Sequence, residues 1–159
     1  MSDVAKSKEL LKRYSIARIP FIAVNTIERA RTLDILKEIA EELALPFYVH
    51  TLSKGLYDLT TEKVINDDKS VYGAIDFMSE QMKRKQYMTL ILTEVPDLSG
   101  DNSDSKQILD LVTLANESGG VVIVLTNHAI WNQLQRLGMV IKIDLPNEDE
   151  MYAISKEDI

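Results

Sequence analysis

Five short apolar runs, each set between longer segments of helical spacing, constrain this 159-residue chain more than any other feature. They lie at 19–24, 46–50, 88–92, 121–125 and 139–145. A run such as Phe21-Ile22-Ala23-Val24 or Val121-Val122-Ile123-Val124-Leu125 is too short for a helix and too continuously apolar for a strand with one wet face. It suits a strand buried on both sides. Between the runs, apolar residues recur at three- and four-residue spacing. Leu33, Leu36, Ile39, Ala40 and Leu43 mark a helix over 28–43, and Val71, Ala74, Ile75, Met78 and Met82 mark one over 70–86. Further helices are expected at 3–17, 104–118 and 129–137. Ser70 is placed to cap one, and Asp104 with Gln107 has capping-box spacing for another. Gly119-Gly120 and Gly138 stand as helix stops, and 56–69 reads as an irregular polar stretch. Strands alternating with helices give an α/β fold, three layers α/β/α around a five-stranded, mainly parallel sheet.

The layout is that of a P-loop ATPase, with expected strand order 5-1-4-3-2, yet the loop that should hold phosphate is missing. The first strand runs into Asn25-Thr26-Ile27-Glu28-Arg29-Ala30-Arg31-Thr32, with no glycine and no lysine before Ser or Thr. A phosphate cradle needs glycines, so that successive backbone N–H groups turn toward one anion, and a lysine to reach the outer phosphates.

Composition removes several function classes. Without cysteine there can be no disulfide, thiolate metal site or cysteine nucleophile, which fits a cytoplasmic protein. A net charge of −7 repels a phosphate backbone, so no nucleic-acid partner is expected. The one basic cluster, Lys83-Arg84-Lys85, falls at a helix end where cations complement the dipole. No apolar run reaches the ~20 residues that span a bilayer, and the amino terminus has no apolar core of the kind a secretory signal carries. No membrane partner is expected.

Open α/β sheets bind ligands at the carboxyl ends of their strands. Those ends carry Asn25 and Thr26, His50 and Thr51, Thr93 and Glu94, and Thr126, Asn127 and His128. Asn25, Thr26, Glu94 and Asn127 are the candidate nucleotide-contacting residues. The same polar residues also arise wherever a buried strand emerges into solvent, and Asn25 and Thr26 are equally placed to cap the following helix. His50, Glu94 and His128 are of metal-ligand type but follow no ligand spacing. Asp97, Asp101 and Asp104 form a loose acidic group in a loop, with Asp104 more simply a helix cap. No Gly-x-Ser-x-Gly elbow is present. No catalytic residue and no metal site are expected, and no bound cofactor. Trp131, the single tryptophan, reads either as packing or as a contact residue.

The segments Leu10-Leu11-Lys12-Arg13-Tyr14, Ile19 to Thr26, Glu28-Arg29-Ala30 and Leu52-Ser53-Lys54-Gly55-Leu56 resemble the amino-terminal part of an AAA ATPase family of bacteria and plastids, the hypothetical chloroplast reading-frame type. By that resemblance the third strand stands at the Walker B position, with Glu94 at its tip, and Asn127 ends a sensor-1-like strand. Asp144 to Glu150 is similar to the junction with a helical lid. The resemblance implies a degenerate ATPase-like domain over 1–146, followed at 147–159 by the start of a lid that is truncated or absent. ATP and magnesium would belong to the family as a whole. This chain would act through protein contact with an AAA module or another protein, by regulation or assembly, and would not itself be an enzyme. Thr93 stands where a magnesium-binding aspartate would be expected. Two alternatives remain: a weak nucleotide site at the strand ends, and a stand-alone receiver-like adaptor.

Overall fold

Helix α1 (Asp3–Ile16) leads into β1 (Phe21–Asn25), α2 (Arg29–Leu43), β2 (Tyr48–Thr51), β3 (Gly55–Asp58), β4 (Val64–Asn66) and α3 (Val71–Arg84). Then follow β5 (Thr89–Leu92), α4 (Ser103–Ser118), β6 (Val121–Thr126), α5 (Asn132–Gln135) and β7 (Gly138–Lys142). These elements come from a computed structural model that describes residues 3–143. The domain limit at 146, the last residues of the fifth expected strand (144–145) and the lid start at 147–159 lie outside the described residues.

The α/β class holds, but the expected five-stranded sheet is corrected: it is mixed and has seven strands in the order β4-β3-β2-β5-β6-β1-β7. The five expected strands are β1, β2, β5, β6 and β7 and keep the relative order 5-1-4-3-2 within it. Its pairs β2–β5, β5–β6, β6–β1 and β1–β7 are parallel. The added strands β3 and β4 pair antiparallel and extend the sheet beyond β2. They occupy the stretch expected to be irregular. Their turn has no glycine to announce it. Instead the Asp58 carboxylate accepts from the N–H groups of Thr60 at 2.9 Å and Thr61 at 3.1 Å. Glu62 takes a left-handed φ of 62° and donates its N–H to the Asp58 carbonyl.

Alternation along the strands splits the core in two. Ile22, Val24, Ile123 and Leu125 face α1 and α2, meeting Leu11, Leu36 and Ile39. Ala23, Leu90, Val122 and Val124 face α3 and α4, meeting Met78, Met82, Ile108 and Leu111. Both faces of β1, β5 and β6 are therefore covered, which is what their unbroken apolar sequences require. Burying each large aliphatic side chain contributes roughly 1.5–3 kcal/mol before entropy is counted.

The helix ends correct two details. Ser70 does cap α3, accepting from the Gly73 N–H. The cap of α4 is Asn102, whose side chain accepts from the Ser105 N–H, and not Asp104. Asp104 sits in the first turn and accepts the Tyr72 hydroxyl at 2.9 Å. Gly138 begins β7 and does not end a helix. Helix α5 has only four residues, shorter than the 129–137 expected, with Trp131 as its N-cap and packed on the α3/α4 side of the core. None of the described helices is long and apolar enough to cross a membrane.

Candidate functional site

The carboxyl ends of the parallel strands gather the expected residues around the turn from β1 into α2. That turn has three residues, Thr26, Ile27 and Glu28. β1 and β6 are in register to their last pair, Asn25 with Thr126, and the Thr26 N–H extends the ladder to the Thr126 carbonyl at 2.9 Å. The Thr26 hydroxyl accepts from the Glu28 N–H at 3.0 Å, which holds the turn tight. The Thr32 hydroxyl donates to the Glu28 carbonyl at 2.8 Å and lies 3.2 Å from that of Thr26. Thr26 and Thr32 are both buried. The turn thus folds its polar groups inward, while Ile27 points out and is 75% exposed.

Glu94 follows β5, and its side chain is 34% exposed. Its carboxylate pairs with the Arg29 guanidinium at 2.9 Å, linking the first turn of α2 to the tip of β5. Neighbouring Thr93 is buried, and its hydroxyl donates to the His50 carbonyl at 2.8 Å, tying the ends of β2 and β5. A hydroxyl so placed joins two strands, where an aspartate would offer a carboxylate to a cation.

Two shallow depressions flank this point. One, of about 310 Å³, is lined by Thr26, Ile27, Arg29, Leu125, Thr126 and Asn127. The other, of about 200 Å³, includes Asn25, Thr126, His128, Ile130, Gln135 and Val140. Of the four candidates, Thr26 and Asn127 share a depression and Asn25 lines the adjoining one. Glu94 lines neither and joins the group only through Arg29. Thr126 stands among the strand-end residues expected from the sequence, whereas Arg29 was not singled out as a site residue. The signal for Arg29 was its place as the first residue of α2, directly after a turn without glycine. The larger depression lies at the lower end of the ~300–1,000 Å³ typical of small-molecule sites. It offers hydroxyls, one amide and one guanidinium, so it suits an anion better than a cation.

The metal-type residues stay apart. His50 is buried, and its Nε2 donates to the Asp68 carbonyl at 3.0 Å. His128 is exposed. The Asp97 carboxylate accepts the Ser99 hydroxyl and N–H, which hold it below the ordinary carboxylate range. Asp101 pairs with Lys106 at 3.4 Å and Asp104 with Tyr72. Among the described residues no three His, Asp or Glu side chains are grouped so as to hold a metal ion.

A protein-family model described as the SpoVK-like AAA ATPase, N-terminal domain, matches residues 7–143, from the first helix to the end of the described sheet. No curated protein matches the chain.

Proposed function

The chain belongs to the SpoVK-like AAA ATPase N-terminal domain family, and from that premise we propose that it is a catalytically degenerate ATPase-like domain. It works by protein contact, binding and regulating an AAA ATPase module or helping it assemble. The reading rests on one observation above all: the β1–α2 turn has three residues, with the Thr26 hydroxyl bonded inside it and the Thr32 hydroxyl of α2 bonded back to its Glu28 carbonyl. A loop wrapped around a triphosphate needs several successive N–H groups turned outward, and glycines to turn them. The Arg29–Glu94 pair supports the same reading, since it occupies the carboxylate that would orient an attacking water.

Calorimetric titration with ATP and magnesium tests it directly. No saturable heat is expected up to millimolar nucleotide, and no phosphate release. Adding the chain to a separately expressed AAA module of the same family should change that module's ATPase rate. Turnover by this chain alone, lost in Glu94→Gln, would reverse the conclusion.

A second reading has one observation in its favour: Thr26, Arg29 and Asn127 line a common depression at the strand ends. In that reading a phosphate group sits against Arg29. Glu94→Gln would then free the guanidinium and tighten ATP binding, whereas the contact reading expects no binding by either form.

A further inference from the structure

A depression of about 400 Å³ lies where the end of α2 meets the β3–β4 turn. Ala40, Ala44, Leu45 and Pro46 form one side of it, and Asp58 and Thr61 stand on the other. Asp58 lies opposite Tyr48, the first residue of β2, so the depression belongs to the amino-terminal edge of the parallel strands. Of its apolar residues only Ala40 is buried; Ala44, Leu45 and Pro46 are exposed in succession.

The end of α2 departs from the usual pattern in three ways. It closes on Ala44 at a left-handed φ of 53°, where glycine is the common residue. The residue after such an end normally packs back on the helix. Leu45 donates its N–H to the Ala40 carbonyl at 3.1 Å, yet its side chain remains 42% exposed. The last turn carries no base, and Glu38, Glu41 and Glu42 crowd an end where the helix dipole is already negative.

Two of these acids are neutralised from α1. Lys8 pairs with Glu38 at 3.0 Å and with Glu42 at 2.8 Å, and Lys12 pairs with Glu42 at 3.0 Å. Glu41 and Asp58 are the two charged residues lining the depression, and both are acidic. Neither has an ion-pair partner among the described residues, and Lys37, one turn before Glu41, does not reach it. The Asp58 Oδ1 accepts the Thr60 and Thr61 N–H groups, while its Oδ2 has no partner among the described residues. Burial, and then the Asp58 charge, pushes the Tyr48 hydroxyl up from its ordinary pKa. Exposed aliphatic surface beside unpaired acids and a helix carboxyl end matches a side chain with an apolar stem and a cationic head.

We propose that this depression receives a lysine or arginine flanked by aliphatic residues on a partner protein. The stem lies over Ala44, Leu45 and Pro46, and the cationic head meets Glu41, Asp58 and the last carbonyls of α2. Such a cation supplies the charge that the last turn of α2 lacks. The proposal rests on the contact reading only in taking a protein as ligand. No strand-end residue takes part, so the ATP titration and the experiment below fail independently.

Two acetylated, amidated hexapeptides serve as probes: Ala-Leu-Arg-Leu-Arg-Ala, and the same sequence with neutral citrulline at both arginines. Titrated into the full chain and followed by amide NMR, the arginine peptide should shift Ala44, Leu45, Thr60 and Thr61. It should bind about fivefold tighter than the citrulline peptide, as two exposed ion pairs allow, and salt should shrink that preference. Glu41→Gln with Asp58→Asn should erase it. The asparagine oxygen can still accept the N–H groups of the turn, so the thermal midpoint should stay close to that of the parent. Asp76→Asn with Asp110→Asn removes equal charge from exposed positions on α3 and α4, across the sheet, and should leave the preference intact. Leu45→Ser should weaken both peptides alike. Equal affinity for the two peptides, shifts centred elsewhere, an equal loss in the Asp76/Asp110 variant, no effect of Leu45→Ser, or no binding by either peptide overturns the proposal.

Discussion

The two ends of the sheet are fastened in different ways. At the amino-terminal edge of the parallel strands, contacts join segments far apart in the chain. Arg18 donates through Nε to the Gly119 carbonyl at 2.7 Å, and through its two terminal nitrogens to the Met88 carbonyl at 3.3 Å and the Thr89 hydroxyl at 3.4 Å. Its guanidinium also lies 5.8 Å from the centre of the Tyr87 ring. Gly138 brings β7 so close to β1 that a Cβ there would overlap the Phe21 carbonyl. At the carboxyl edge the connecting turns are closed by bonds of their own: Thr26 with Glu28, Asp97 with Ser99, Thr126 with His128, Asn102 with Ser105. Other contacts at this edge do cross the chain: Arg29 with Glu94, Thr93 with His50, His50 with Asp68, and Tyr72 with Asp104. Turns closed by their own side chains depend little on the rest of the fold, so they can change without disturbing the sheet.

The strongest way to break this contrast is Gly138→Ala. The obstacle is backbone of Phe21, which cannot rotate aside as a side chain would. The β1–β7 pair must part, and we expect urea unfolding to show a loss of about 3 kcal/mol or more, at the upper end of overpacking effects. A loss under ~1 kcal/mol would mean that β7 shifts freely and the amino-terminal edge is not rigid.

Next in size is Arg18→Met. It keeps much of the stem but removes charge-assisted bonds to two carbonyls, so a cost of about 2–3 kcal/mol is expected by the same measurement. Glu94→Gln at the opposite edge breaks an ion pair whose arginine is 56% exposed, and should cost under ~0.5 kcal/mol. Comparable losses in the two variants would erase the distinction between the ends. Asn102→Ala falls between them. It removes one helix cap, and about 1 kcal/mol is the usual cost.

These same differences decide what could be read from the sequence. The buried strands were legible because burial on both faces leaves an unbroken apolar run, as at 121–125. The β3–β4 hairpin was not, because Asp58 and a left-handed Glu62 make its turn without glycine, and β4 has only three residues. The cap of α4 was misplaced because Asn102, Ser103, Asp104 and Ser105 are all cap-forming types in succession. At the strand ends Asn25, Thr26, Glu94 and Asn127 could be named from position alone. Glu94's partner could not, since Arg29 meets it only once β1 and β5 stand in one sheet. Local bonds leave local signals; contacts across the chain leave none until the fold exists.

The smallest effect tests the contrast through protons. Bonds within its own turn to the Ser99 hydroxyl and N–H hold Asp97 below the ordinary carboxylate range. Lys8, then Lys12, does the same for Glu42, but across the α1–α2 contact. A carboxylate whose folded pKa is depressed adds stability that is complete above its unfolded pKa, near ~4, and is lost as pH falls through the folded value. The Asp97 turn spans three residues and forms in part in the unfolded chain, so its pKa differs little between the two states. The lysines reach Glu42 only in the fold. Stability measured between about pH 5 and 3 should therefore fall less steeply in Glu42→Gln than in the parent chain. Asp97→Asn should leave that slope almost unchanged, and a larger change for Asp97 than for Glu42 would show that the carboxyl-edge turns hold the fold after all.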